Sequence, residues 1–284
     1  MSRPKVFLDY DQVELNAAYD QAVYAPNMPQ LLARYASNSA IARARLGEPQ
    51  RVAYGSAEIE KLDIFRTASA GAPVQVFIHG GGWRAGSAKD GCFPAEMFVA
   101  AGAHFVVPDF ALVQDVGGSL LPIEQQVRRA IQWVQDHADI FGGDARRIFV
   151  TGHSSGAQLA CSALTMLAEP IVRGALLVSG MFDLRGPRLS SRSSYVNFDD
   201  ATEESLSPQR HIDKIHIPLV LAHGTMETPE FQRQSREFAT AVKEAGKPVE
   251  LIVAENYNHF ELIETLANPY GILGRAALGM MNLR

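Results

Sequence analysis

The sequence of 284 residues has few cysteines, no excess of positive charge and no long apolar run. Two cysteines, Cys92 and Cys161, are too few for a disulfide framework and lack zinc-site spacing, so both are expected to be small buried hydrophobic residues. The net charge of −5 and the lack of a basic patch argue against nucleic-acid binding, which depends on Lys and Arg. Because no apolar run reaches about 18 residues and no apolar leader is visible, we expect a cytoplasmic protein without a membrane partner.

Strand-like and helical segments alternate from residue 59 onward. Apolar, β-branched-rich runs of strand length lie at residues 59–65, 74–79, 104–109, 147–152, 171–179, 217–223 and 249–254. Helical periodicity occurs between or after them at residues 122–134, 231–243 and 260–266. This alternation predicts an α/β fold with a mostly parallel central sheet and helices on both faces.

Two segments fall outside this alternation. Residues 1–50 are largely helical in pattern and polar enough to wrap a core. Residues 181–213 are rich in Ser, Arg and Asp and too long for an ordinary connection between strands, so they are expected to form a small cap-like insertion. With these parts set aside, the remaining core has single-domain size, and we predict one domain over residues 1–284.

The most specific chemical signal is Gly-His-Ser-Ser-Gly at residues 152–156, which matches the pattern GxSxG. It follows a predicted strand and opens a predicted helix, the setting in which this pattern places a nucleophilic serine on a tight turn. Side chains two residues before and after Ser154 would collide in such a turn, which explains Gly152 and Gly156. A tight turn chosen only for close packing is the alternative.

A second glycine-rich loop, His-Gly-Gly-Gly-Trp, follows the predicted strand at residues 74–79. Such a loop supplies one half of an oxyanion hole, and the N–H group after the nucleophile supplies the other, so Gly81, Gly82 and Ser155 are the predicted donors. A Walker A phosphate loop is excluded because no Lys-Ser/Thr follows the last glycine. An NAD-binding fingerprint fits the letters, but the next helix is expected only near Pro94.

Among eight histidines, His259 has the position of a general base. It follows the last predicted strand and opens the last predicted helix, so it can lie over the carboxyl end of the sheet, where such enzymes place their sites. His79 and His153 lie inside the two loops and are expected to orient backbone. No spaced set of ligands predicts a metal site.

An orienting carboxylate must fix the tautomer of the base. Glu227 follows the strand predicted at residues 217–223 and gives the chain order Ser154, Glu227, His259. Glu230 is the alternative, although we expect it in the first turn of the next helix, where its charge suits the helix dipole.

Longer motifs surround these residues. They are HGGGW at 79–83, GHSSGAQLA at 152–160, SGMFDL at 179–184, Ser-Pro at 207–208, TPEFQRQS at 228–235 and NHFELIETL at 258–266. On these motifs the chain resembles the arylformamidase (kynurenine formamidase) group of α/β-hydrolases, near the hormone-sensitive-lipase-type esterases. The resemblance extends from about Tyr10 to the C-terminus. It implies an α/β-hydrolase fold, a Ser154–His259 pair, a small cap, and no metal or organic cofactor. The family's usual Asp is here Glu227.

These observations predict a serine hydrolase that cleaves a small ester or an N-formyl aryl amide through an acyl-enzyme. Trp83, Phe182 and Tyr195 are candidates for an aromatic wall around the substrate, with ordinary core packing as the alternative. A short-chain or aryl carboxylesterase, and a catalytically silent binding protein with the same fold, remain open as functions. The expected partner is a small-molecule substrate, and the chain is expected to be a monomer or a homodimer.

Overall fold

One eight-stranded sheet runs through the computed structural model, which describes residues 3–283. The strands lie in the order β1-β2-β4-β3-β5-β6-β7-β8. Their bounds are β1 Gln50–Ala53, β2 Lys61–Phe65, β3 Ala72–Ile78, β4 His104–Pro108, β5 Gly143–His153, β6 Gly174–Val178, β7 Leu219–Gly224 and β8 Val249–Ala254. Strand β2 pairs antiparallel with β1 and β4, whereas the pairs from β4 through β3 to β8 are parallel. The predicted mostly parallel sheet is confirmed.

Helices cover both faces of this sheet. They are α1 Gln12–Ala18, α2 Met28–Leu46, α3 Ala88–Gly91, α4 Ala95–Ala100, α5 Leu121–His137, α6 Ser155–Met166, α7 Arg185–Leu189, α8 Asp200–Ser205, α9 Pro229–Glu244, α10 His259–Glu264 and α11 Ile272–Met280. Local sequence explains their starts. Asp11 and Glu14 form a capping box at α1, and Thr228 caps α9 directly before a proline at its first position.

Strand β1 and helix α11 were not predicted from the sequence. Strand β1 is an edge strand of four mostly exposed residues, so it has no alternation of apolar and polar side chains. It exists because its backbone pairs with β2, a contact that local pattern does not show. Helix α11 instead packs its buried residues, including Leu273 and Ala277, against the sheet.

The hydrophobic core is divided by the sheet into two layers. Alternate residues of β3, Val74, Val76 and Ile78, belong to the layer formed with α5, α6 and α9. Phe77 points the other way, into the layer formed with α4, α10 and α11. This alternation follows from the period of two in a strand. Because β3 lies between two parallel neighbours, its residues are buried on both faces.

The N-terminal segment does more than wrap the sheet. Its side chains Leu15 and Tyr19 are buried within the core layer of α5, α6 and α9. In the insertion at residues 181–213, Met181 and Leu184 are buried in the same layer. Both segments therefore contribute to the core, although their sequences are polar on average.

Cys92 and Cys161 are buried and unpaired with each other, as predicted. Burial raises the pKa of both thiols above its usual range, which keeps them protonated. In the part of the chain that the structure describes, no helix is both long and apolar enough to cross a membrane.

A buried ion network joins the antiparallel edge of the sheet to α2. The carboxylate of Asp63, only 2% exposed, contacts Arg43 of α2 and accepts a hydrogen bond of 2.6 Å from Arg51. Arg51 also donates to Asp109 at 2.5 Å, and Asp109 accepts from the backbone N–H of Ala88 at 2.6 Å. The network therefore connects α2, β1, β2, the residue after β4 and the start of α3.

Asp63→Ala is expected to lower the free energy of unfolding by about 3 kcal/mol, because it leaves the largely buried Arg43 without its buried partner. Urea denaturation measures this change. Glu48→Ala is the matched control, since Glu48 contacts the same Arg43 but is 80% exposed, and it should cost at most about 1 kcal/mol. Equal losses for the two variants would contradict the assigned role of Asp63.

Candidate active site

The carboxyl ends of five neighbouring parallel strands, β3, β5, β6, β7 and β8, carry the residues of the candidate site. The loop at residues 79–86 follows β3, Ser154 follows β5, Ser179 follows β6, Glu227 follows β7 and His259 follows β8. Because the carboxyl ends of parallel strands meet at one edge, residues far apart in the chain lie together there. The site was predicted from the sequence at this edge.

Ser154 lies on the tight turn between β5 and α6. Its backbone has φ 57° and ψ −124°, a conformation that L residues rarely adopt. The turn is compatible only with glycine on both sides. A Cβ at Gly156 would lie 2.2 Å from the carbonyl oxygen of Ile78, and one at Gly152 would lie 2.6 Å from the Cα of Ala157. The strand–turn–helix arrangement predicted for Ser154 is therefore present.

Glu227 and His259 form a buried pair. His259 Nδ1 lies 2.8 Å from Glu227 Oε2, and the side chains are 3% and 0% exposed. The other carboxylate oxygen, Oε1, accepts hydrogen bonds of 2.6 Å from Ser179 Oγ and from the backbone N–H of Gly224. Hydrogen bonds from these donors fix the orientation of the carboxylate.

Gln21, from the N-terminal segment, lies against both members of this pair. Its side-chain nitrogen lies 3.1 Å from His259 Nδ1 and 3.4 Å from Glu227 Oε2, while its oxygen accepts from the backbone N–H of Thr228. Because the carboxylate can only accept, we assign a proton to Nδ1 in the bond of 2.8 Å with Glu227. The Gln21 amide then donates to Glu227 Oε2 and not to Nδ1, and in the neutral imidazole Nε2 is the unprotonated nitrogen.

Glu230, the alternative acid, is engaged elsewhere. It lies in the first turn of α9, as predicted, and is fully buried. Its carboxylate accepts from Tyr19 Oη at 2.8 Å and pairs with Arg233 at 2.7 Å. Since Glu227 and not Glu230 contacts His259, the structure separates the two acids that the sequence left open.

The loop at residues 79–86 faces the start of α6. Gly81 and Gly82 have positive φ angles of 126° and 61°, and Trp83 N donates to Ser155 Oγ at 3.2 Å. Among residues 3–283, the backbone N–H groups of Gly81, Gly82 and Ser155 have no hydrogen-bond acceptor. These three N–H groups are the donors that the sequence predicts for an oxyanion hole, and that role stays a prediction.

The three candidate aromatic residues occupy different environments. Trp83 is 2% exposed and donates from Nε1 to Gln158 at 2.9 Å. Phe182 is 1% exposed and stacks on Phe238, with ring centroids 4.3 Å apart. Tyr195 is half-buried, and a Cβ at Gly82 would lie 3.7 Å from its hydroxyl. The side chains of Trp83, which belongs to the glycine loop, and of Phe182 therefore pack in the core, the alternative left open by the sequence. Tyr195 is the half-buried one of the three and lies near Gly82.

Three further residues near the site were missed by sequence reasoning: Gln21, Ser179 and Arg192, whose guanidinium carbon lies 5.5 Å from the ring centroid of Trp83. Gln21 and Arg192 lie in segments interpreted as a wrap and a cap, and no local motif marks them. Ser179 did carry a signal, because it follows a predicted strand directly and strand ends collect at this edge.

His153, the residue before Ser154, packs against His259. Its ring lies 4.7 Å from that of His259, and its Nε2 lies 3.1 Å from the carbonyl oxygen of His259, so this nitrogen carries a proton. Burial, and secondarily the neighbouring imidazole, hold the pKa of His153 well below its usual range. His153 is therefore a neutral group that positions His259, the kind of role expected from the sequence.

Comparison with known proteins agrees with this geometry. The prolyl oligopeptidase family profile matches residues 124–268, and the profile described as BD-FAE matches residues 62–170. A kynurenine formamidase of Danio rerio is 31% identical over 246 residues, which cover 81% of this chain and 80% of that protein. The chain belongs to the kynurenine formamidase family. It is an α/β-hydrolase and a serine hydrolase.

Solved structures resemble this family member in fold. A protein from Silicibacter sp. TM1040 is similar with a TM-score of 0.80 and 24% identity, over 92% of this chain and 97% of that chain. Esterase 2 of Thermogutta terrifontis is similar with a TM-score of 0.67 and 22% identity, over 84% and 91%. Both comparisons show the α/β-hydrolase fold.

Lowering the pH is expected to destabilise this formamidase-family chain through His153. Its pKa is lowered on folding, so the unfolded chain binds the proton first and stability is lost as the pH falls below about 6.5. One such histidine contributes a slope of up to about 1.4 kcal/mol per pH unit. Urea denaturation between about pH 7.5 and about pH 5.5 measures the slope.

The slope should be smaller in His153→Gln than in the unmodified protein. His79, His104 and His223, whose pKa values are also lowered by burial, contribute to the slope that remains. His216→Gln, at an exposed position, is the control and should leave the slope unchanged. If His153→Gln and the unmodified protein show the same pH dependence, the neutral assignment of His153 is wrong.

Proposed function

We propose that this chain hydrolyses N-formyl aryl amides through a Ser154–His259–Glu227 triad, as the name of its relatives suggests. The observation that carries the proposal is the buried contact of 2.8 Å between His259 Nδ1 and Glu227 Oε2, at the sheet edge that also carries Ser154. An imidazole oriented by a carboxylate, at the same sheet edge as a serine on a strained turn, is the set of groups that nucleophilic acyl transfer requires.

The proposed reaction has two halves. Ser154 Oγ attacks the carbonyl carbon while His259 Nε2 takes its proton, and Glu227 stabilises the resulting imidazolium. Gly81, Gly82 and Ser155 donate N–H groups to the oxyanion. The C–N bond then breaks, and His259 returns the proton to the leaving amine. Water attacks the formyl-serine ester with His259 as base, which releases formate and restores the Ser154 hydroxyl.

Glutamate at position 227 is consistent with this chemistry, although the related enzymes usually have aspartate there. One oxygen of the longer side chain reaches His259, and the second accepts hydrogen bonds from Ser179 and Gly224. Ser179 directly follows β6, and Gly224 is the last residue of β7. The carboxylate of this longer side chain is therefore held by hydrogen bonds between the ends of β6 and β7. α/β-Hydrolases use either acid in this position.

Ser154→Ala is expected to abolish hydrolysis of N-formylkynurenine and labelling by a fluorophosphonate, because it removes the attacking oxygen. The control is Ser37→Ala, which removes an exposed serine of α2 and should retain both. Full activity in Ser154→Ala would overturn the mechanism. Comparing kcat/KM on N-formylkynurenine and p-nitrophenyl acetate identifies the favoured bond. Hydrolysis of the ester alone would make the chain a carboxylesterase.

Glu227→Gln is expected to lower kcat by about 10²–10⁴, because a side-chain amide can donate to Nδ1 and so favour the wrong tautomer of His259. Steady-state kinetics on the better of the two substrates provides the measurement. Glu230→Gln is the matched control, since it neutralises a buried acid three residues away that contacts Tyr19 and Arg233 instead. A larger loss of kcat in Glu230→Gln would show that the wrong acid has been assigned.

A further inference from the structure

The guanidinium of Arg192, in the cap-like insertion, lies over the glycine loop of the candidate site. Its carbon is 5.5 Å from the ring centroid of Trp83 and 5.9 Å from that of Phe231. The Phe231 ring in turn lies 5.1 Å from the ring of His259. A Cβ placed on Gly82 would be 3.3 Å from Arg192 Nη1. Arg192 therefore lies beside the predicted oxyanion loop and packs near Phe231, which in turn packs near the ring of His259.

The positive charge of Arg192 has no counter-ion in the protein. Its Nη1 donates to Tyr195 Oη at 2.8 Å and its Nη2 donates to the backbone oxygen of Tyr19 at 3.0 Å, both neutral acceptors. Its Nε is buried and has no acceptor. No Asp or Glu oxygen among residues 3–283 lies within 4.0 Å of the side chain.

Neighbouring arginines in the same insertion are paired. Arg188 contacts Asp200 and Glu203, and Arg210 contacts Glu203 and Glu204. Within the described residues, Arg185 is also unpaired but exposed, so Arg192 is the partly buried arginine of the insertion that has no counter-ion. A partly buried cation is stabilised when an anion completes its hydrogen bonds, and a guanidinium has five N–H donors, of which Arg192 uses two here.

We propose that Arg192 determines the specificity of this site by binding a carboxylate of the substrate. The inference rests on the proposed hydrolase function and adds the residue that recognises the charge. The planar guanidinium matches the geometry of a carboxylate, and the aromatic rings of Trp83 and Phe231 on which it packs hold it in place. A substrate carboxylate would supply the counter-ion that the protein lacks.

Matched substrate pairs test this proposal. N-formylkynurenine is compared with its carboxamide, and meta-acetoxybenzoate with meta-acetoxybenzamide, so that each pair differs in charge but hardly in shape. The unmodified protein should show a higher kcat/KM for the anion in the pair whose bond it cleaves. Arg192→Met should lower the ratio of anion to amide by about 10- to 100-fold, the value of a charge-assisted hydrogen bond.

Two further variants distinguish charge recognition from support of the cap. Arg192→Lys keeps the charge and should retain part of the preference for the anion. Arg185→Met removes an exposed cation of the same insertion and should leave the ratio unchanged. Fluorophosphonate labelling of Ser154 in every variant reports whether the site is still assembled.

The outcomes separate this inference from the proposed function. Equal kcat/KM for anion and amide in the unmodified protein, or an equal loss for both in Arg192→Met, would overturn the role of Arg192 while leaving the hydrolase intact. Hydrolysis of neither pair, together with no labelling of Ser154, would overturn the proposed function and with it the inference.

Discussion

The carboxylate of Glu227 joins four separate parts of the chain at one point. It accepts from Ser179 after β6, from the backbone of Gly224 at the end of β7, from His259 after β8, and from Gln21 near the N-terminus. A buried carboxylate is tolerated only when such donors surround it. The carboxylate therefore needs donors besides His259. One of them is Gln21, so a polar stretch outside the α/β core is hydrogen-bonded to Glu227 and becomes part of the site.

The turn at Ser154 imposes a second constraint, which acts through close approach of backbone. Gly156 lies so near the carbonyl oxygens of Ile78 and His79 that any side chain would collide with them. The start of α6 is thereby held against the end of β3, and the glycine loop with its free N–H groups lies beside Ser154. Strain at Ser154 is supported by this packing, since the residue is surrounded by the buried ends of β3, β5 and β6.

The insertion at residues 181–213 places the guanidinium of Arg192, which has no counter-ion among residues 3–283, beside the glycine loop. Arg188 and Arg210 hold the insertion together through Glu203, whereas Arg192 turns toward Trp83 and Phe231. The division between paired and unpaired arginines cannot be derived from the sequence, where all of them belong to one polar segment. It depends on which residues the folded insertion brings within hydrogen-bonding distance.

By itself the sequence determined the α/β architecture, the turn at Ser154 and the placement of His259 and Glu227 after strands, because strand period, glycine spacing and strand ends are local properties. Edge strand β1, which lacks an alternating pattern, could not be predicted in this way. Only the tertiary structure showed that Glu227, the acid favoured by the sequence, contacts His259 while Glu230 contacts Tyr19 and Arg233. It also buried Trp83 and Phe182 in the core and brought Gln21 and Arg192 to this edge of the sheet. The physical reason is that these choices depend on distances between residues remote in the chain, which are set by packing of the sheet, the N-terminal segment and the insertion.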